Sequence, residues 1–318
     1  MKSIGGFFEL ELRDGSEYYS KLLSVNTGRN ALEYILKENN YKKVFIPYYT
    51  CDAILEPLEK LNIKYSFYNI DRRLEVVGNI NTNDGEALLY NNYFGIKNLY
   101  INMLCVKKMN IIIDNAQSFF SEPNENVDTF YSCRKFFGVS DGGYVSLKLR
   151  KNYVENLGCD LSSDRSMHLL RRIDIDAETA YRDYRINESL LKRKPILRMS
   201  KLTKSILRNV EYSYVKQRRN ENFIFLHKAL NSLNELECIE IENISAPMVY
   251  PFLTSKKGLK EELIRNKIFV ATYWPNVKEW CEEGSVERML YDNLLALPID
   301  QRYSEEDMAY IIKMIKEW

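Results

Sequence analysis

Between residues 44 and 149, short apolar runs alternate with segments of helical periodicity, and this alternation limits the fold more than any other feature. Val44-Phe45-Ile46, Lys64–Ile70, Ala87–Asn91, Ile111–Asp114 and Tyr144–Leu149 read as strands. Helical patterns lie between them, one carrying Ile54, Leu55 and Leu58 and one near Leu99–Val106. Strands separated by helices pack as right-handed βαβ units around a largely parallel sheet. The expected class is therefore α/β, and ligands of such sheets sit at the carboxyl ends of the strands.

Those ends carry the chemistry. Asp114 closes the run Asn110-Ile111-Ile112-Ile113, Gln117 follows three residues later, and Ser132 stands three before Lys135, ahead of Asp141-Gly142-Gly143. An acid and a lysine delivered by neighbouring strand ends suit pyridoxal phosphate catalysis. There a lysine condenses with the cofactor aldehyde, and a carboxylate keeps the pyridine nitrogen protonated so that the ring accepts electrons. Lys135 and Asp114 fit these roles. Gln117 can donate to the phenolic oxygen and Ser132 to the phosphate. Taken singly, Asp114 is a buried strand end and Lys135 a solvated loop lysine; the order of the whole set argues for the site.

Composition narrows the alternatives. A net charge of +1 over 318 residues leaves no footprint for nucleic acid or an anionic membrane. Six cysteines with no C-x-x-C pair read as reduced cytoplasmic thiols. The start MKSIGGFFELEL lacks the apolar core and cleavage site of a signal peptide. Only His168 and His227 are present, which weakens histidine-based metal and Ser-His-Asp hypotheses, so no metal is expected.

Elsewhere, residues 4–12 alternate in the manner of a short strand. Thr27 is a candidate N-cap ahead of Gly28 and Arg29, leaving free N–H groups for an anion at the start of a helix with Ala31, Leu32, Ile35 and Leu36 on one face. From Asp164 to about Leu230 the chain reads as basic amphipathic helices. Around residue 235 it changes to short strands at Cys238–Ile241 and Met248–Leu253, a helix at Leu259–Arg265, the run Phe269–Pro275 and a helix at Glu305–Trp318. This gives a large domain over 1–235 and a small α+β domain over 236–318.

The stretch Asp114-Asn115-Ala116-Gln117 followed by Lys135 and Asp141-Gly142-Gly143 resembles the DegT/StrS-type sugar aminotransferases, which are fold-type-I pyridoxal phosphate enzymes. Thr27-Gly28-Arg29-Asn30-Ala31-Leu32 looks like that family's phosphate-binding helix start, and Arg198-Met199-Ser200 and the closing Leu297-Pro298 match as well. Three positions depart. Phe130 stands where the family has a serine, leaving Ser132, or Thr129 as second candidate, for the phosphate. Cys51 stands where an aromatic stacks on the ring, with Tyr48 and Tyr49 just upstream. Ile196 replaces an asparagine that reaches the partner subunit's phosphate.

The resemblance implies a homodimer that moves an amino group from an amino acid, usually glutamate, to a nucleotide-linked keto-sugar in polysaccharide biosynthesis. Lys135 and Asp114 are the catalytic candidates. Thr27, Gly28, Arg29, Tyr49, Cys51, Gln117 and Ser132 join them in binding the cofactor, and Asn92, Arg198 and Tyr273 are candidate substrate contacts. In the related dehydratases a histidine replaces the lysine, so Lys135 speaks against that reaction. The alternative is a paralogue that keeps the fold as a binding protein without turnover.

Overall fold

The computed structural model describes residues 4–107, 109–148, 156–239 and 241–318. Its large sheet contains β1 (Leu23–Val25), β2 (Lys43–Pro47), β3 (Lys64–Tyr68), β4 (Glu86–Asn91), β5 (Ile111–Asn115), β6 (Asp128–Ser132) and β7 (Gly143–Ser146). The order is β1-β7-β6-β5-β4-β2-β3. β2 to β6 pair in parallel, while β7 is antiparallel to both β6 and β1. β4 and β5 are almost continuously apolar, as strands covered on both faces require. Residue 149, the last of the strand expected at Tyr144–Leu149, lies outside the described residues.

The helices of the first half are α1 (Gly28–Asn39), α2 (Leu55–Lys60) and α3 (Asn98–Cys105). α1 starts where sequence puts it: Thr27 Oγ1 accepts the Asn30 N–H at 3.0 Å, and Asn40 ends the helix at φ 53°. α4 (Met167–Asp174), α5 (Ala177–Leu190), α6 (Lys201–Arg208) and α7 (Tyr212–Leu230) form the basic helical stretch.

Beyond it, β8 (Val249–Leu253) and β9 (Leu294–Pro298) make a separate antiparallel pair, accompanied by α8 (Leu259–Arg265), α9 (Val277–Trp280), α10 (Val286–Asn293) and α11 (Glu305–Glu317). Two apolar clusters sandwich the large sheet. One joins α1 and α2 to Val44, Ile46, Leu89, Ile112 and Phe130. The other runs from Tyr90, Ile111 and Ile113 through α7 into β8, β9 and α11.

Two expected strands are absent. Residues 4–12 are irregular and exposed, with Phe7 99% and Phe8 92% accessible. Adjacent phenylalanines break a period of two, and no strand offers them a ladder. Cys238 and Ile239 are also irregular, and Ile241 begins a 3₁₀ turn; residue 240 lies outside the described residues. Here Asn234 does the work of a strand partner. Its side chain accepts the Leu253 N–H at 2.8 Å and donates to the Pro251 carbonyl at 2.9 Å, covering the free edge of β8. β1, β6, β9, α9 and α10 are additions to the expected elements.

Candidate active site

β5 and β6 lie side by side and parallel, so their carboxyl ends bring Asp114 and the turn after Ser132 together. Lys135 ends a short 3₁₀ turn, Cys133–Lys135, and is exposed. The turn is held by Cys133, whose N–H bonds the Gly142 carbonyl at 3.1 Å and whose carbonyl accepts both Phe136 and Phe137 N–H groups at 3.0 Å. Gly142 sits at φ +116°, where a side chain would also press on Cys133 and Met199 at 3.1 Å. At Gly143 a Cβ would come within 2.9 Å of the Thr27 backbone and 2.8 Å of the Tyr131 carbonyl. The two glycines thus let β7 press against the start of α1.

Asp114 is partly buried, and its Oδ1 accepts the Ala116 N–H at 2.7 Å. Burial raises its pKa, while the charge of Lys135 and the Ala116 bond pull it down. The same lysine acts on Cys51, whose thiol burial pushes up and Lys135 draws back. Asp114 and Cys51 therefore both lie within electrostatic reach of Lys135.

Gln117, three residues after Asp114, is buried. Its Oε1 accepts the Phe94 N–H at 3.0 Å, which orients the amide and leaves Nε2 buried with no partner. The Tyr49 hydroxyl and Asn91 Oδ1 are likewise buried without partners, although Asn91 Nδ2 donates to Thr50 Oγ1 at 2.9 Å. Such atoms cost about 1–3 kcal/mol each unless something fills the space and bonds them. A group with a phenolic oxygen meets the requirement at Gln117, so the residues present fit pyridoxal phosphate.

The two candidate hydroxyls separate by strand alternation. Thr129 lies on the far face, in a polar cavity of about 300 Å³ lined also by Asn92, Asn98, Asn115 and Ser121. Ser132 shares the face of Phe130 and approaches the α1 N-terminus, 3.6 Å from where a Gly28 side chain would begin. Phe130 is 2% accessible and belongs to the core. Ile196 packs against that same cluster.

Among the tyrosines upstream of Cys51, Tyr48 is stacked on Phe67 at 4.5 Å, whereas Tyr49 is fully buried between Tyr93 and Trp274. Tyr273 reaches this group from beyond β8, packing on Phe94 at 5.9 Å and lying in electrostatic reach of Tyr49. Asn92 stays apart. Its amide is committed to Asn98 at 2.9 Å and Asn115 at 3.0 Å. Arg198 is exposed, and its backbone bonds Gly158 and Asp160.

No protein-family model matches the chain, and no curated protein sequence matches it. Solved structures do. An aminotransferase of the DegT DnrJ EryC1 StrS type from Brucella abortus superposes with a TM-score of 0.60 at 16% identity, over 93% of this chain and 85% of that one. The chain has the fold of the DegT/StrS-type aminotransferases. Spr1654 of Streptococcus pneumoniae in its PLP form gives 0.64 at 15% identity, over 93% and 86%. PseC of Helicobacter pylori, an aminotransferase involved in pseudoaminic acid biosynthesis, gives 0.62 at 14%, over 93% and 86%. The DegT/StrS-type fold is a fold-type-I architecture, and it agrees with the mostly parallel sheet found here.

Sequence reasoning missed two residues near this site. Arg134 precedes Lys135 and is largely buried, in an ion pair with Glu188 of α5. Arg219 of α7 is 1% accessible; it lies 4.5 Å above the Phe136 ring and donates to Gln301 and to the carbonyls of Pro247 and Met248. Neither carries a signal in the sequence: Arg134 stands beside a lysine, and Arg219 lies in the polar run Lys216–Asn222. Among the described residues no helix is long and apolar enough to cross a membrane, and no cluster of three metal-ligating side chains occurs.

Proposed function

We propose that this protein is a pyridoxal phosphate-dependent aminotransferase that moves an amino group from an amino acid, glutamate in the first instance, to a nucleotide-linked keto-sugar. The observation that carries the reading is the meeting of Asp114 and Lys135 at adjacent strand ends, beside a Gln117 amide that has a donor to spare. A structural neighbour solved in a PLP form supports the cofactor. When bound, pyridoxal phosphate supplies an electron sink for the carbon that bears the amino group.

The chain's own residues do the rest. Lys135 Nζ would hold the cofactor and, once released as a free amine, would carry the proton between the carbon that bears the amino group and C4′ of the cofactor. Asp114 would hold the ring nitrogen and keep its proton in place. Gln117 Nε2 donates to the phenolic oxygen, and Tyr49 and Cys51 close the ring's surroundings. Ser132 and the first N–H groups of α1 hold the phosphate. Asn92, Arg198 and Tyr273 are assigned to substrate, Asn92 through its network and not through a free amide. The active form is a homodimer of cytoplasmic chains divided near residue 235.

Lys135→Ala tests this. It abolishes turnover and the adduct that borohydride traps on a Lys135 peptide, and retained transamination in the variant refutes the proposal.

A further inference from the structure

Around the start of α1, three guanidinium groups each face an acid of the chain yet keep a buried N–H with no hydrogen-bond partner. Arg29, at the second position of α1, faces Glu56 at 3.7 Å, too far for a hydrogen bond, and its Nε is buried without a partner. Arg134 pairs with Glu188, yet its Nε is also buried and unpartnered. Arg165 gives one nitrogen to Asp160 at 2.8 Å and the Leu161 carbonyl at 2.9 Å, while Nη1 has nothing. Asp141, the remaining acid nearby, accepts from the Ser200 N–H and hydroxyl and from Thr203.

These groups feel one another. Burial lowers the Arg134 pKa to about 10, and Arg29 and Arg165 press the same way. Guanidiniums held together with idle N–H donors call for an anion that accepts several bonds at once. Ser132, two residues before Arg134, adjoins Gly28, the residue before Arg29, so the chain segments that carry the two arginines meet where a hydroxyl and the α1 amides lie together.

From this juxtaposition we infer that Arg134, assisted by Arg29, binds the cofactor's phosphate dianion within a single chain. The inference rests on the proposed cofactor and deepens it. It also accounts for Ile196. The segment that carries it is tied along α1 by Asn26 and Asn30, whose side chains bond the carbonyls of Pro195 at 3.1 Å and Lys194 at 2.9 Å, and Ile196 turns into the core. A cation supplied from the same chain replaces a polar contact across the subunit boundary.

The test compares pyridoxal phosphate with pyridoxal, which lacks the phosphate. Both are titrated spectroscopically into the full-length wild type, Arg134→Gln, Arg134→Lys and Arg29→Gln, with the ³¹P resonance of the bound cofactor as a second readout. Arg134→Gln is expected to weaken pyridoxal phosphate roughly 10- to 100-fold, the range of a charge-assisted bond, to leave pyridoxal unchanged and to shift the resonance. Arg134→Lys, which keeps the charge and the link to Glu188, recovers part of the affinity.

Equal weakening of both compounds overturns the inference, because it marks a structural role. So does unchanged discrimination in Arg134→Gln and Arg29→Gln, or loss of uridine diphosphate binding alone, which would place the cations on the substrate. A wild type that forms no adduct at Lys135 with either compound refutes the cofactor reading, and this inference with it. A wild type that forms the adduct while the variants match it refutes only the phosphate assignment.

Discussion

Asp114 serves two opposing demands. Burial favours its neutral form, while Lys135 and the Ala116 N–H favour the carboxylate. Asp114→Asn keeps the shape and removes the charge that holds a ring proton. Turnover is expected to fall by roughly 10²–10³, the usual effect of deleting one oriented electrostatic group. The adduct trapped on Lys135 remains, and parallel measurement of kcat and borohydride trapping separates the two effects. Asp114, Gln117 and Lys135 were legible in the sequence because their order is itself a chemical pattern. Arg134 was not, since a basic residue beside a lysine reads as solvated until the fold buries it against Glu188 and Arg29.

At the level of elements, the Asp141-Gly142-Gly143 turn does more than begin β7. Asp141 is fully buried and accepts from the Ser200 N–H at 2.8 Å, the Ser200 hydroxyl at 2.7 Å and Thr203 Oγ1. It thereby places a negative charge at the N-terminus of α6, where the helix dipole favours it. Asp141→Ala strips three donors of their acceptor and is expected to cost about 3 kcal/mol, within the range for buried charged hydrogen bonds. Urea denaturation reads this directly. The turn was visible in the sequence; its partner 59 positions away was not. Local alternation misled at 4–12 and 238–241 for a related reason, since a strand exists only where another chain segment, not a side chain such as Asn234, takes its hydrogen bonds.

For the molecule as a whole, stability against acid depends on pairs such as Asp300–Arg302. Burial works to raise the Asp300 pKa, but the two bonds from Arg302, 2.7 and 2.8 Å long, outweigh it and hold the carboxyl below its ordinary range. Near pH 4 the unfolded chain then binds more protons at this position than the folded one. Stability from the pair is present above that pH and lost as pH falls through the lowered value. Arg302→Gln is expected to move the midpoint of acid unfolding to higher pH, read by circular dichroism across a pH series. The parallel sheet was legible from its apolar runs. The division near 235 gave no sign that one apolar cluster crosses it.

That cluster joins Tyr90 and Ile113 in the large sheet to Leu297, Ile311 and Ile315 near the end of the chain. Contacts so distant in sequence close the longest loops of this chain. The interior of the half that carries Lys135 is therefore completed late in folding, after the local helices and neighbouring strands have formed.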